Sequence, residues 1–238
     1  MMHFTFDSYK ELIKLLKDKG YHFCNYHNYD DNYSCIMRHD IDYSIEKAIE
    51  FAYIERDMGV SSTYFVLFTS DFYNVFSRRV VEKLRAISKL GHEIGLHFDE
   101  KYYDFLDEEG MIKAIQKESS LLGEAIGEKI SCVSMHRPSR WVLDANLEIP
   151  GVINSYGKTF FQDFKYVSDS RMRWRENILK YISEKTYSKL HILTHAFWYG
   201  EQEQSMAEIF DKFLSSARKD RFNFLQDNFT DLSDIIKG

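Results

Sequence analysis

The chain has 238 residues, of which 44% are hydrophobic, so it is long enough for one large globular domain, or two small ones, with a full core. The formal net charge is -6 at pH 7 and no basic stretch resembles a nucleic-acid-binding patch, which argues against DNA or RNA as the main partner. No segment approaches the ~18 uncharged residues that a membrane-spanning helix needs, and we expect no stable membrane insertion.

The cysteines, Cys24, Cys35 and Cys132, are scattered and odd in number. Because no Cys-x-x-Cys motif occurs, we predict no disulfide framework and a reducing compartment. The N-terminus mixes charged residues such as Asp7 and Lys10 with apolar ones and lacks the uninterrupted apolar core of a signal peptide. We therefore expect a cytoplasmic protein.

The first half of the sequence alternates between helical and strand patterns. Leu12, Leu15 and Leu16 share one helical face that ends at Gly20, and Ser44 is a good N-cap for the helix that follows it. The predicted elements, in chain order, are a helix at 8–19, a strand at 34–38, a helix from residue 45, a strand at 63–68, a helix around 80–87 and a strand at 93–98.

The second half continues this alternation with a weaker stretch in the middle. Met111, Ile115, Leu122 and Ile126 recur at helical spacing. The further predicted elements are a strand at 130–135, two possible short strands at 152–153 and 166–167, a helix at 176–184, a strand at 190–194 and a helix at 204–219. We found no Ser/Gly-rich linker, so we predict a single domain over residues 1–238.

Four short motifs each close a predicted strand with groups that bind metals or move protons. They occupy residues 38–42, 91–97, 136–138 and 193–195. Strands that alternate with helices predict a largely parallel α/β sheet, and a closed or distorted barrel suits the motif positions better than an open sheet. In such a barrel the carboxyl ends of the strands converge on one mouth, so the motifs would meet there. This arrangement points to metal-assisted hydrolysis.

Asp40 and Asp42 lie where a strand gives way to a helix. They admit a structural interpretation, in which Asp42 helps to cap the helix and Asp40 pairs with a neighbouring arginine. They also admit a catalytic one, in which one carboxylate binds a metal ion and the other takes a proton from water.

The histidines differ in their expected roles. His92 and His97 point to opposite faces of a regular strand, so His97 is the better metal ligand and His92 is expected to hydrogen-bond at the strand start. His136 is a candidate third ligand. His195 is a candidate proton donor because its pKa range suits that role, whereas His191 is expected in the core.

Arg137 precedes a proline that stops the strand, and its charge could keep a catalytic carboxylate ionised. The alternative is a buried arginine–carboxylate pair without chemistry. Trp198 is either a platform for a sugar or a core residue. We expect His3, His22 and His27 at the surface.

Taken in order, these motifs resemble the polysaccharide deacetylase superfamily, carbohydrate esterase family 4, and in particular its divergent members with an Arg-His-Asp-x-Asp first motif. The resemblance covers roughly residues 35–199. It implies a distorted (β/α) barrel that uses a divalent metal ion, most often zinc, to remove N- or O-acetyl groups from sugars.

The resemblance also implies roles for individual residues. It makes Asp40 the catalytic base and Asp42 a metal ligand, although the family usually has these two aspartates adjacent. His97 matches the first histidine of the second motif, but Lys101 occupies the place of the second. His136 is the preferred replacement as third ligand, with Asp99 as the runner-up.

Three further residues complete the set that the resemblance implies. Arg137 matches the arginine that orients the base, Asp169 loosely matches a residue that supports the acid–base system, and His195 matches the general acid. The expected function is a metal-dependent hydrolase that removes an N-acetyl or related acyl group from an amino sugar or polysaccharide precursor. The alternatives are a catalytically inactive glycan-binding protein, an enzyme for another amide or a formyl group, and a scaffolding protein rich in histidines.

Overall fold

The computed structural model describes residues 2–104, 107–229 and 231–236. Strands and helices alternate along this part of the chain. The helices are α1 Phe6–Asp18, α2 Ile45–Asp57, α3 Arg78–Lys89, α4 Glu108–Ile126, α5 Arg140–Ala145, α6 Ile178–Ser183, α7 Met206–Gln226 and α8 Leu232–Ile235. The strands are β1 His22–Cys24, β2 Ser34–Ile41, β3 Thr63–Leu67, β4 Glu93–Phe98, β5 Cys132–Met135, β6 Ile153–Asn154, β7 Lys165–Ser168 and β8 Lys189–Thr194.

Within the described residues all eight strands join one curled sheet and every pairing between them is parallel. The strand order is β6-β5-β4-β3-β2-β8-β7, and β1 pairs with the start of β2. The predicted α/β fold, a distorted (β/α) barrel, is therefore confirmed, and β2 lies between β3 and β8.

Strand β2 is buried along its whole length because both of its faces are covered. Ile36 packs into a small cluster with Phe65 of β3 and Cys132 of β5, inside the curl of the sheet. Cys35 and Met37 belong to the larger cluster that the helices cover. Alternate residues of β2 therefore face the barrel interior, and this parity also places Arg38 and Asp40 there.

A glycine in β4 makes room for this interior packing. A Cβ atom added to Gly95 would lie 2.5 Å from the ring of Phe65 and 2.8 Å from Cys132 Sγ. Since real Cβ atoms do not approach other heavy atoms so closely, a larger residue at this position would push the Phe65 ring out of the interior. The glycine thus lets Phe65 and Cys132 pack directly against the backbone of β4.

Most predicted elements agree with the structure, and the differences lie at their ends. Strand β2 continues to Ile41 beyond the predicted end at Arg38, because residues 38–41 still pair with β3. The last long helix starts at Met206 and runs to Gln226, seven residues beyond the predicted end. Ser44 caps α2 as expected. The short elements β1 and α5 were not predicted, because three and six residues are too few for a periodic signal.

Among the helices in the described part of the chain, none has the length and apolar character needed to cross a membrane. The prediction of a single domain over residues 1–238 stays a prediction.

Candidate metal centre at the carboxyl ends of the strands

The four motifs meet at one mouth of the sheet, as the sequence predicted. Asp42 follows β2 by one residue, His97 lies near the end of β4, and His136 and His195 directly follow β5 and β8. Because these strands are parallel and close neighbours in the sheet, their carboxyl ends converge.

Three of these residues form a compact group of potential metal ligands. His97 Nε2 and His136 Nδ1 are 3.2 Å apart, and each lies 3.3 Å from Asp42 Oδ1. In a tetrahedral zinc site with bonds of about 2.0–2.1 Å, neighbouring ligand atoms are about 3.3 Å apart. The triangle therefore has the dimensions of one face of such a site.

The chemistry of the group also fits a cation. Asp42 Oδ1 is buried and has no hydrogen bond of acceptable geometry among the described residues, although two imidazole nitrogens lie close to it. Burial alone would raise the pKa of Asp42, but the imidazoles of His136 and His97 outweigh this effect and hold the pKa well below its usual range. An ionised carboxylate and two imidazoles are a donor set that zinc prefers.

Ser134 of β5 orients one of these ligands. His97 and Ser134 are register partners, and His97 Nδ1 lies 2.6 Å from Ser134 Oγ. When Nδ1–H donates to this hydroxyl, the lone pair of Nε2 is free to face the other two ligand atoms. This role could not be predicted from the sequence, because it depends on the register between two strands.

Asp40 lies beside the triangle, inside the barrel. Its Oδ2 is 3.6 Å from His97 Nε2, and its side chain is almost fully buried. Burial alone would raise the pKa of Asp40, but the charge of Arg38, followed by those of His97 and His195, lowers the pKa below its usual value. The carboxylate is therefore ionised next to the ligand group.

The arginine that pairs with Asp40 is Arg38, which corrects the expectation that Arg137 would do so. Arg38 Nη2 lies 2.7 Å and Nε 3.2 Å from the two carboxylate oxygens of Asp40. Arg137 instead bonds to Asp99, and 58% of its side chain is exposed. The backbone of Arg137 adopts a left-handed conformation with φ of 50°, and its side chain lies on the first residues after β4.

Asp99, the runner-up as third ligand, and Lys101, at the place of the second family histidine, both lie outside the ligand group in the described structure. Asp99 accepts hydrogen bonds from Arg137 and from the backbone N–H of Lys101, and so caps a short 3-10 helix. The Lys101 side chain is exposed. The three residues that do come together are thus the preferred set Asp42, His97 and His136.

His195 and Asp169 form a second unit at the edge of the group. His195 Nδ1 lies 2.6 Å from Asp169 Oδ1, and Asp169 also accepts a hydrogen bond from the His195 backbone N–H. Burial alone would lower the pKa of His195, but the Asp169 carboxylate outweighs this effect and raises the pKa to about 9. Its other nitrogen, Nε2, lies 3.8 Å from Asp42 Oδ2.

The remaining predicted positions also have clear places. His92 is buried, with its Nε2 3.0 Å from the Ala52 carbonyl oxygen, and His191 is buried between Tyr26 and the Phe160 carbonyl, as expected for structural histidines. Trp198 is 5% exposed, so the core interpretation holds and the sugar platform does not. His3, His22 and His27 are exposed, as predicted.

The sequence interpretation allowed Asp40 to pair with a neighbouring arginine, but it did not identify Arg38 as a member of the site. The available signal was strand parity, because residues two apart on a strand share a face and Arg38 therefore lies beside Asp40.

Neither a protein-family model nor a curated protein matches this chain. Solved structures with a similar fold include the polysaccharide deacetylase Bc1974 from Bacillus cereus, at 14% identity and a TM-score of 0.48 over 79% of this chain and 87% of that chain. A family 4 carbohydrate esterase from Bacillus anthracis is 15% identical, with a TM-score of 0.46 over 87% of this chain and 84% of that one.

A third similar structure is a family 4 pseudoenzyme, also from Bacillus anthracis. It is 14% identical, with a TM-score of 0.43, and the match covers 78% of this chain. The match spans 60% of the length of that pseudoenzyme.

Proposed function

We propose that this protein is a metal-dependent hydrolase that removes an acetyl or related acyl group from an amino sugar or glycan, as a divergent member of carbohydrate esterase family 4. The observation that supports the proposal most directly is the triangle of ligand atoms from Asp42, His97 and His136, with Asp40 and His195 beside it. Carboxylate and imidazole groups with shifted pKa values beside a cation site are typical of catalytic centres.

Asp42, His97 and His136 would hold a divalent ion, for which zinc is the best candidate because one oxygen and two nitrogen donors suit it. Such an ion, when bound, lowers the pKa of water and polarises an acyl carbonyl. Mg²⁺ prefers oxygen ligands in an octahedral arrangement and fits this set poorly.

Asp40 would act as the general base. Its carboxylate is ionised and buried next to the ligand group, so it can take a proton from the attacking water. The hydroxide equivalent forms a bond to the acyl carbon, and the carbon–nitrogen bond then breaks. Arg137, which the resemblance assigned to Asp40, contacts Asp99 and is left out of this chemistry.

His195 would act as the general acid. The Asp169 carboxylate holds the imidazole by Nδ1 and keeps it protonated at neutral pH, so that Nε2 can donate a proton to the departing amine nitrogen. Acetate and a free amino sugar result. Asp169 orients the ring, because it accepts hydrogen bonds from both the side chain and the backbone N–H of His195.

The test measures acetate released from tri-N-acetylchitotriose by protein that has been stripped with a chelator and then reloaded with Zn²⁺. We expect no release by the stripped protein, recovery with Zn²⁺, and none from Asp40→Asn despite a normal zinc content. His27→Ala changes an exposed histidine away from the group and is the matched control. Acetate release that survives both chelation and Asp40→Asn would falsify the proposal.

The second candidate is a catalytically inactive protein that binds glycans, and Lys101 at the place of a family histidine favours it. In that case the protein would bind tri-N-acetylchitotriose in calorimetry, with or without zinc, and would release no acetate. Saturable binding that is unchanged by Asp40→Asn and by chelation would support this candidate over the hydrolase.

We propose a cytoplasmic location on the basis of the cysteines, since Cys24, Cys35 and Cys132 are all buried and unpaired. A substrate in that compartment would be an acetylated sugar precursor. Fractionation of the producing cells, with detection of the protein in the soluble and membrane fractions, tests this location directly.

A further inference from the structure

Arg38 is an unusual residue for the interior of a barrel. Its side chain is fully buried, and it is among the largest fully buried side chains in the described part of the chain. A buried guanidinium is strongly disfavoured unless its charge is neutralised and its N–H groups are hydrogen-bonded. The contacts of Arg38 therefore indicate what keeps it there.

Three groups of contacts hold the Arg38 guanidinium in one position. Its Nε and Nη2 donate to the two oxygens of Asp40, and its Nη1 donates to Ser155 Oγ at 3.2 Å. The rings of Phe65 and Tyr156 lie 5.2 and 5.1 Å from its central carbon. The contacts with Ser155, Phe65 and Tyr156 thus hold the guanidinium in place independently of the carboxylate of Asp40.

The two-point contact determines how Asp40 is oriented. Two parallel hydrogen bonds to a planar guanidinium fix both the position and the plane of a carboxylate. The Asp40 oxygen that receives the shorter bond, Oδ2, is also the one 3.6 Å from His97 Nε2. Without Arg38, the Asp40 side chain could turn away from the ligand group.

We propose that Arg38 is the positioning residue for the base Asp40, and that Arg137 does not serve this purpose. The inference rests on the proposed function and deepens it. It also accounts for the residue between the two aspartates, because Arg38 and Asp40 lie on one face of β2, whereas Ile41 belongs to the helix-covered cluster. Arg137 stays at the exposed mouth with Asp99.

The test makes the same conservative change at the two arginines, Arg38→Lys and Arg137→Lys. Lysine keeps the positive charge but cannot make a two-point contact with a carboxylate. On tri-N-acetylchitotriose, with Zn²⁺ loaded, we expect Arg38→Lys to lower kcat about 100-fold with KM within about threefold. Arg137→Lys should leave both constants within about threefold. Loss of kcat in Arg137→Lys with a normal Arg38→Lys would overturn the proposal.

A second measurement does not need turnover, so it separates this inference from the proposed function. Co²⁺ replaces Zn²⁺, and its visible absorption band reports changes around the ion. We expect Asp40→Asn and Arg38→Lys to shift the band in the same direction and Arg137→Lys to leave it unchanged. In the Asp40→Asn background, Arg38→Lys should add no further shift, because Arg38 acts through Asp40. A wild-type spectrum for Arg38→Lys would contradict the proposal even if no substrate were found.

Folding of the buried variants is checked by circular dichroism and thermal melting. Arg38→Gln, which also loses the two-point contact, is the second variant and should reproduce the band shift. If neither Arg38 variant folds while Asp40→Asn does, the guanidinium is a requirement of the core and the proposal fails.

Discussion

His39 and Thr194 connect the two strands that carry the proposed base and the proposed acid. They are register partners on β2 and β8, and His39 Nδ1 lies 2.7 Å from Thr194 Oγ1. His39 directly precedes Asp40, and Thr194 directly precedes His195. Their contact thus supports the register of β2 and β8 that brings both Asp40 and His195 to the ligand triangle.

We expect Thr194→Val to weaken this connection. Valine has the shape of threonine but leaves His39 Nδ1 buried without its partner, which should lower the free energy of unfolding by about 1–3 kcal/mol. Urea denaturation at pH 7 measures the change. Thr194→Ser keeps the hydroxyl and is the matched control, so equal losses in the two variants would contradict the role of the hydrogen bond.

Glu55 is a buried carboxylate of α2, and we expect its removal to lower the free energy of unfolding most at neutral pH. Its carboxylate accepts hydrogen bonds from Tyr9, Ser62 and Tyr64 and lies 2.9 Å from His39 Nε2. Burial alone would raise the pKa of Glu55, but His39, together with the other partners, lowers it to about 2.

The sign of the pH dependence follows from that lowered pKa. Between pH 4.5 and pH 2 the unfolded chain binds more protons at Glu55 than the folded one. The stabilisation that Glu55 contributes is therefore fully present above this window and is lost as the pH falls through it. We expect Glu55→Gln to lose about 3 kcal/mol of unfolding free energy at pH 7 and little near pH 2. A loss of equal size at both pH values would show that packing, and not charge, is responsible.

Glu118 of α4 should behave in the opposite way. It is 3% exposed, its Oε1 accepts a hydrogen bond from Tyr103, and its Oε2 has no partner among the described residues. Burial raises the pKa of Glu118 to about 7. The folded chain therefore binds more protons than the unfolded one between pH 4.5 and pH 7, and stability falls as the pH rises through that window.

Glu118→Gln removes this cost at alkaline pH. We expect a gain of up to about 3 kcal/mol in unfolding free energy at pH 8 and almost none at pH 4. Guanidinium chloride titrations at the two pH values measure it. Glu124→Gln, on the exposed side of the same helix, is the control and should leave the unfolding free energy unchanged at both pH values. A Glu118→Gln protein with no gain at pH 8 would refute the prediction.

Ser134 should matter for zinc affinity more than for stability. Its hydroxyl is 2.6 Å from His97 Nδ1, and loss of a group that orients a ligand histidine lowers metal affinity about 10- to 100-fold. Competition with a chromogenic chelator gives the dissociation constant of Ser134→Ala. Ser119→Ala removes a buried hydroxyl that has no partner in the described structure, and it should bind zinc normally. Equal affinities in the two variants would argue against the orienting role.

The sequence by itself determined the alternating elements, the parallel sheet and the strand ends at which the motifs would meet. Strand parity also separated His97 from His92, and the structure brings His97 together with Asp42 and His136. These conclusions depend on local information, because helical and strand periods are properties of neighbouring residues.

Only the tertiary structure decided which side chains meet across the site. The pairing of Arg38 with Asp40 agrees with the interpretation that Asp40 pairs with a neighbouring arginine, but the sequence did not name which one. The turn that directs Arg137 onto Asp99 and the contact of Ser134 with His97 differ from, or go beyond, the sequence prediction. The pairing of Arg38 with Asp40 was accessible in principle from parity. The other two depend on cross-strand register and on one left-handed backbone angle, and the periodicity of a single chain contains no information about either.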